Sequence, residues 1–136
     1  MAYRIYNQFP SDLKNGRRAI GFSLPFTGEA VFNPTYTTKD QMRSNIINYF
    51  LTNKGERIFN PSFGANLREK LFSQITLGNI EALKKQIEVD MKIFFPSALV
   101  EELKVSGNEE EHSYNISITY NIVNFGITDK INLTIQ

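Results

Sequence analysis

The fold of this chain is constrained most by residues 51–73, which read LTNKGERIFNPSFGANLREKLFS. Two glycines, one proline and three phenylalanines recur there at fixed offsets, between two segments of helical pattern. Because proline fixes its own φ and glycine tolerates positive φ, segment 60–64 (NPSFG) predicts a turn. We call residues 51–73 the corner, and we predict a rigid bend that suits docking better than catalysis.

A helix is predicted on the N-terminal side of this bend, from residue 38 to about residue 53. Thr38 and Gln41 have the spacing of a capping box, in which a threonine and a side chain three residues later cap the first turn. Apolar residues then recur at helical spacing and predict one buried face. Gly55 occupies the position where a left-handed C-terminal cap is expected.

Two further helices are predicted after the turn, a short one over 66–72 and a long one over 77–94. The long helix should end before Pro96, because the residue preceding a proline avoids helical φ and ψ. We expect Asp90 on its polar side, and we expect Phe95, which falls off the apolar stripe, to be exposed. In the short helix, the residues expected to face inward are Leu67, Leu71 and Phe72.

The last forty residues change from helical periodicity to alternation. Residues 99–106 predict a strand, and residues 114–122 alternate large apolar side chains with polar ones, as in a strand with one buried face. Alternation returns at Ile131, Leu133 and Ile135, and three strands with short connections predict an antiparallel meander. The order of elements indicates an α+β fold: an irregular N-terminal arm, then two to three helices packed on one face of a C-terminal antiparallel β-meander.

The length of 136 residues suits one domain. Prolines and glycines interrupt residues 1–36, which we expect to form an N-terminal arm, and residues 37–136 are expected to form a single α+β domain. The chain has no cysteine, which excludes disulfides and thiolate zinc sites. A net charge of +1 predicts no nucleic-acid or membrane partner. The N-terminal residues lack the apolar core of a signal peptide, so we expect the chain to be soluble and cytosolic when it is synthesised.

The ionisable residues give little support to an enzyme. The single histidine, His112, follows three glutamates at a predicted hairpin tip, which favours a solvated charged turn over a metal or acid–base site. Glu56 and Glu69 flank the turn and are the candidate carboxylate pair for hydrolysis, but their basic neighbours favour surface ion pairs. We therefore predict no catalytic residue, no metal and no cofactor.

Arg57 is the charged residue for which two roles stay open. Its guanidinium can bind a carboxylate on a partner in a bidentate manner, or it can hydrogen-bond carbonyls or an acidic residue within the chain. The three phenylalanines of the corner, Phe59, Phe63 and Phe72, can likewise form an aromatic binding surface, although core packing is the default for such side chains.

Together, the corner, the long helix and the meander resemble the baseplate wedge proteins of contractile-tail bacteriophages, a family that shares its fold with a baseplate subunit of type VI secretion systems. The resemblance covers about residues 37–136. It depends on a helix ending in Thr-x-x-Gly-x-Arg, followed by Phe-x-Pro-x-Phe-Gly and Leu-x-x-x-Leu-Phe. The matching residues are Thr52, Gly55, Arg57, Phe59, Pro61, Phe63, Gly64, Leu67, Leu71 and Phe72.

The resemblance implies a structural virion protein of the tail baseplate, assembled in the host cytoplasm and present in several copies set by the symmetry of the particle. It implies contact with a bundle of helices from other baseplate wedge proteins, with the tail sheath protein, and with inner tube or hub proteins. Family members also resemble the part of the sheath protein that joins subunits by strand exchange. The resemblance therefore implies that the chain templates the first sheath ring.

Two partner contacts follow from this resemblance. The strand at 131–135 has no proline and little charge, so its edge needs a partner unless it lies in the middle of the sheet. Many family members carry Glu-Pro-Arg after the long helix, where this chain has Phe95, Pro96 and Ser97. A contact between this segment and the helical bundle is therefore expected to be apolar, with Phe95 as its anchor.

Two alternatives stay open. One is a small lysozyme-like cell-wall hydrolase in the baseplate, which needs two convergent carboxylates in a cleft. The other is the equivalent subunit of a type VI secretion system or of a phage-like particle, because the fold is shared. Neighbouring genes distinguish the second alternative from a phage tail.

Overall fold

The computed structural model describes residues 19–24, 34–123 and 125–136. The chain divides into two compact units, Met1–Asn48 and Tyr49–Gln136. Most of the predicted N-terminal arm lies outside the described residues, and the predicted domain boundary stays a prediction.

The described part of the first unit holds one pair of short strands and most of one helix. Strand β1 (Gly21–Phe22) pairs antiparallel with strand β2 (Pro34–Thr35). Helix α1 (Thr38–Leu51) follows, and its last turn belongs to the second unit. The helix ends two residues before the predicted end at residue 53.

Helix α1 is capped one residue earlier than predicted. The Thr37 hydroxyl oxygen accepts a hydrogen bond from the backbone N–H of Asp40 at 3.2 Å and donates one to the Asp40 carboxylate at 2.7 Å. Two threonines precede this helix, and the acidic side chain of Asp40 selects the first of them as the cap. Gln41, the predicted partner of Thr38, instead accepts a hydrogen bond from the Thr35 hydroxyl at 2.6 Å.

The second unit contains two more helices, α2 (Leu67–Leu71) and α3 (Leu77–Phe94). Helix α3 has the predicted bounds, and the Thr76 hydroxyl caps it by accepting a hydrogen bond from the Asn79 N–H at 3.3 Å. Helix α2 is one residue shorter than predicted at each end, and it begins after Asn66 because Asn66 adopts a left-handed conformation with φ of 57°. None of the helices in the described ranges is long and apolar enough to cross a membrane.

The chain ends in a three-stranded antiparallel sheet of order β3-β4-β5, with strands Ala98–Asn108, Ser113–Ile122 and Ile127–Ile135. The predicted meander and the α+β class are therefore confirmed. The first hairpin turn lies at residues 109–112 and contains the three glutamates and His112, whereas Gly107 and Asn108 still belong to β3.

One face of the sheet is buried under α3. The alternating apolar residues of the central strand β4 are all buried, as the pattern predicts. Gly107 sits so close to this layer that a Cβ atom there would lie 2.3 Å from Ile75 and 3.4 Å from Ile80 of α3. In register with β4, the residues of β5 on the buried face include Ile131, Leu133 and Ile135.

Candidate functional site

The turn of the corner is closed by its own backbone. The N–H of Gly55 donates to the carbonyl of Pro61 at 2.8 Å, and the N–H of Phe63 donates to the carbonyl of Asn60 at 3.1 Å. Gly55 has the expected positive φ of 87°, but it lies four residues beyond the end of α1. It therefore closes the base of the turn and is not the helix cap that the sequence predicts.

Gly64 fixes the turn to the end of α1. Its φ is 124°, and a Cβ atom at this position would lie 2.5 Å from the carbonyl oxygen of Thr52. The next two backbone N–H groups, of Ala65 and Asn66, donate to the carbonyls of Tyr49 and Thr52 at 3.1 and 3.4 Å. Both the positive φ and the close backbone approach require glycine here.

An aromatic cluster lies beneath the turn. The buried ring of Phe63 packs edge-on against Tyr49, with centroids 5.6 Å apart, and against Phe94 at 5.1 Å. Phe95 joins this cluster, 6.1 Å from Tyr49, and only 8% of it is exposed. The expectation of an exposed Phe95 is wrong, because the chain leaves helical geometry at this residue and turns its ring inward.

Asp90 is also buried, contrary to its expected place on the polar side of α3. Its carboxylate accepts a hydrogen bond of 2.6 Å from the Tyr49 hydroxyl. The pKa of Tyr49 is raised above its ordinary value of 10.0. Burial is the largest cause, and this hydrogen bond is the second. One signal in the sequence was available: Asp90 lies three residues after Ile87 and seven after Leu83, which is the spacing of the apolar face.

Two aromatic residues that were expected in the core are on the surface. Phe59 is fully exposed at the tip of the turn beside Ile58, which is 90% exposed. Phe72, expected to face inward, is 93% exposed at the end of α2. Core packing is therefore the wrong interpretation for both, whereas Phe63 is buried as expected. Phe63 lies just before Ala65 and Asn66, whose backbone N–H groups bind carbonyls at the end of α1, so its ring packs against Tyr49, whereas Phe59 lies out at the tip of the turn.

Arg57 makes neither of the intrachain contacts that were expected. Its guanidinium lies 4.0 Å from the centroid of the Phe63 ring, in a cation–π arrangement. The side chain is exposed and forms no ion pair with a described residue. This contact positions the guanidinium over the ring, and its N–H groups stay able to bind a planar carboxylate.

The two carboxylates near the corner are each hydrogen-bonded to an asparagine of the corner. The backbone N–H of Asn53 hydrogen-bonds Glu56 at 3.1 Å and, with the Asn53 side chain, lowers the pKa of this exposed carboxyl. Glu69 accepts a hydrogen bond from the Asn66 side chain. His112 is exposed at the β3–β4 turn, and no group of three metal-ligating side chains occurs among the described residues.

The two edges of the sheet differ. Strand β3 carries a bulge between Val100 and Glu102, and Lys104 forms an ion pair of 2.9 Å with Glu102. Strand β5 pairs with β4 in continuous register from Ile127 to Ile135, and in the described part of the chain it pairs with no other strand. A bulge interrupts the regular backbone pattern of an edge, so among the described strands β5 has the more regular of the two edges.

The segment after α3 presents a different side chain from the one expected. Pro96 and Ser97 are exposed, and the Ser97 carbonyl accepts a hydrogen bond from Val123 N–H at 2.9 Å. A shallow groove of about 320 Å³ separates the end of α3 from β3, and Pro96 and Leu99 are among its lining residues. Leu99 is exposed, so it is the apolar side chain that a partner can contact beside the end of α3.

With this geometry in place, the chain can be compared with known proteins. A family model described as baseplate wedge protein gp25 matches residues 37–126. A candidate tail lysozyme from Geobacter sulfurreducens has a similar fold, with 17% identity, a TM-score of 0.64 and coverage of 74% of this chain and 92% of that chain. A chain in the cryo-EM structure of the anti-feeding prophage baseplate is similar too, with 22% identity, a TM-score of 0.60 and coverage of 76% and 85%. No curated protein matches significantly.

Proposed function

The chain belongs to the baseplate wedge protein gp25 family, and from this membership we propose that it templates the first ring of the tail sheath. Membership makes it a structural component of a contractile-tail baseplate. The proposal adds a position beside the inner tube, contacts with the helical bundle of neighbouring wedge proteins, and assembly in the host cytoplasm.

The observation that carries the sheath contact is the open edge of β5. Nine residues of β5 are in continuous register with β4, without a bulge. A strand from the sheath protein can extend this sheet through backbone hydrogen bonds, and the half-buried Leu133 and Ile135 can pack against its side chains. Strand β3 is a poor alternative, because its bulge between Val100 and Glu102 interrupts regular pairing.

The corner supplies the second proposed contact, with the other wedge proteins. Its turn is held by backbone hydrogen bonds and by Gly64, so little conformational entropy is lost when a partner binds the exposed Ile58 and Phe59. Arg57, stacked on Phe63, adds a positioned cation for a carboxylate on the partner. Leu99 replaces the buried Phe95 as the proposed apolar contact beside Pro96 and Ser97.

A co-purification experiment tests the sheath contact. Asn132→Lys combined with Thr134→Lys places two charges on β5, and we expect this variant to lose binding to the purified tail sheath protein. The matched control is Asn115→Lys with Ser117→Lys, because Asn115 and Ser117 are the register partners of Thr134 and Asn132 on the central strand. Equal binding by the two double variants would contradict pairing along β5.

A hydrolase is the second candidate, since one protein of similar fold is a candidate tail lysozyme. A glycoside hydrolase needs a general acid with a raised pKa, whereas the hydrogen bonds from Asn53 lower the pKa of Glu56. We therefore propose a structural role, and we expect no release of soluble fragments from peptidoglycan. Release by the wild type that is lost in Glu56→Gln or Glu69→Gln would establish the hydrolase instead.

The order of the neighbouring genes can identify the kind of particle to which the chain belongs. The anti-feeding prophage baseplate contains a similar fold, so a phage tail, a phage-like particle and a secretion system are all compatible with the fold itself. We propose a phage tail, for which the neighbouring genes encode capsid proteins as well as tail proteins. A cluster that encodes tail proteins without a capsid would assign the chain to a phage-like particle or a secretion system.

A further inference from the structure

A groove of about 610 Å³ lies at the end of the sheet that holds the β3–β4 turn and the last residue of β5. One wall comes from α2 and the segment after it, with Leu71, Phe72 and Ile75 as its large apolar residues, and Arg68 also lines it. The opposite wall comes from the β3–β4 turn, with Glu109 and His112. The lining is mostly apolar, and Phe72, one of its large side chains, is 93% exposed.

The groove adjoins the open edge of β5. Gln136, which follows the last residue of β5 directly, is one of its lining residues. Tyr114 pairs with Ile135, and Ser113 pairs with Asn108, so the β3–β4 turn and the end of β5 lie at the same end of the sheet. A strand added along β5, whether parallel or antiparallel, has one of its ends at this groove.

We infer that the groove receives a large apolar side chain of the same sheath-protein segment that pairs with β5, one or two residues beyond the paired strand. This inference rests on the proposed function and adds to it the chemistry of the segment: an extended peptide followed by an aromatic or long aliphatic anchor. Strand addition alone carries little sequence specificity, because it uses backbone groups, and specificity in such complexes comes from pockets for individual side chains. The groove supplies that pocket.

The polar rim fits this occupant. Arg68 and Glu109 carry opposite charges on the two walls, so these two side chains together do not favour a strongly acidic or a strongly basic segment. An apolar anchor buries Phe72 and the rest of the lining from water, while the backbone of the segment can hydrogen-bond at the rim. A central apolar anchor within a polar rim is the usual anatomy of a binding hot spot.

Substitution of Phe72 tests the inference. We expect Phe72→Ser to weaken the binding of the purified tail sheath protein by about tenfold or more, without loss of stability, because the side chain is exposed. Leu77→Ser is the matched control: Leu77 is 82% exposed and is not among the lining residues, so its binding should stay within about twofold of wild type. Circular dichroism of both variants verifies the fold.

A cross-linking experiment locates the contact directly. With p-benzoylphenylalanine in place of Phe72, we expect a photo-cross-link to the sheath segment next to the strand that β5 binds, and none from position 77. Wild-type binding that is lost in the β5 lysine variant but unchanged in Phe72→Ser, without a cross-link from position 72, would overturn the groove contact alone. A wild-type chain that does not bind the sheath protein would overturn the proposed function and this inference with it.

Discussion

The hydroxyl of Tyr49 donates a hydrogen bond of 2.6 Å to the carboxylate of Asp90 inside the core, across 41 positions of sequence. Tyr49 belongs to the last turn of α1, and Asp90 belongs to α3. The same tyrosine ring contacts Phe63 of the corner, and its carbonyl accepts a hydrogen bond from the N–H of Ala65. One residue therefore connects the turn that carries the proposed docking residues to the helix beneath it.

Removal of the hydroxyl should weaken this connection. Tyr49→Phe keeps the ring in the aromatic cluster but leaves the buried Asp90 carboxylate without its donor, so we expect the free energy of unfolding to fall by about 1 to 3 kcal/mol. Urea denaturation measures the change. Tyr36→Phe, at a half-exposed tyrosine, is the control and should alter stability by less than about 0.5 kcal/mol.

The Tyr49 hydroxyl also predicts a pH dependence. Burial and Asp90 raise its pKa above 10.0, so the folded state holds this proton more tightly than the unfolded state does. The resulting stability is fully present below pH 10 and is lost as the pH rises above that value towards the folded pKa. Between about pH 9 and 11 the wild type should lose stability more steeply than Tyr49→Phe. Parallel stability curves for the two proteins would show that Tyr49 is not responsible.

Gly64→Ala should disrupt the corner. The substitution places a Cβ 2.5 Å from the Thr52 carbonyl oxygen at a φ of 124°. We therefore expect the free energy of unfolding to fall by about 1 to 3 kcal/mol. Gly78→Ala is the control. Gly78 lies in α3, where an added methyl group would meet no other part of the fold within 4 Å, so the free energy of unfolding should rise by up to about 1 kcal/mol. Thermal denaturation compares them, and a neutral Gly64→Ala would show that the close approach relaxes at little cost.

Ser113 gives a prediction of the opposite sign. Its hydroxyl is buried, with 1% of the residue exposed, and it has no hydrogen-bond partner among the described residues. Ser113→Ala removes this unsatisfied group and should raise the free energy of unfolding by about 1 kcal/mol. Ser106→Ala, on the exposed side of β3, should be neutral. A destabilised Ser113→Ala would show that the hydroxyl is hydrogen-bonded in solution.

Substitution of two phenylalanines of the corner should have different effects, one on partner binding and the other on stability. Phe59→Ser removes a fully exposed ring, so stability should change by less than about 0.5 kcal/mol while co-purification with other wedge proteins declines. Phe63→Ser removes a buried ring of the aromatic cluster and should cost about 3 kcal/mol or more. Undiminished binding by Phe59→Ser would remove the tip of the turn from the proposed contact.

Local patterns in the sequence determined the regular elements. The apolar period and Pro96 predicted the bounds of α3, and alternation predicted the central strand, because each depends on backbone geometry within one segment. The motif of the corner likewise predicted the turn at 60–64 and the positive φ of Gly64. These features indicated the α+β class and the family before any contact was known.

Only the tertiary structure decided which of the aromatic residues are buried and which side chain the acidic Asp90 contacts. Phe95 and Asp90 are in the core because Tyr49 and Phe63, distant in sequence, provide their partners, whereas Phe59 and Phe72 have none there and stay on the surface. The order of strands is a second example, since alternation places Ile131 on the buried face but does not say that β5 is an edge. Burial and edge position depend on contacts between segments, which the period of a single segment does not encode.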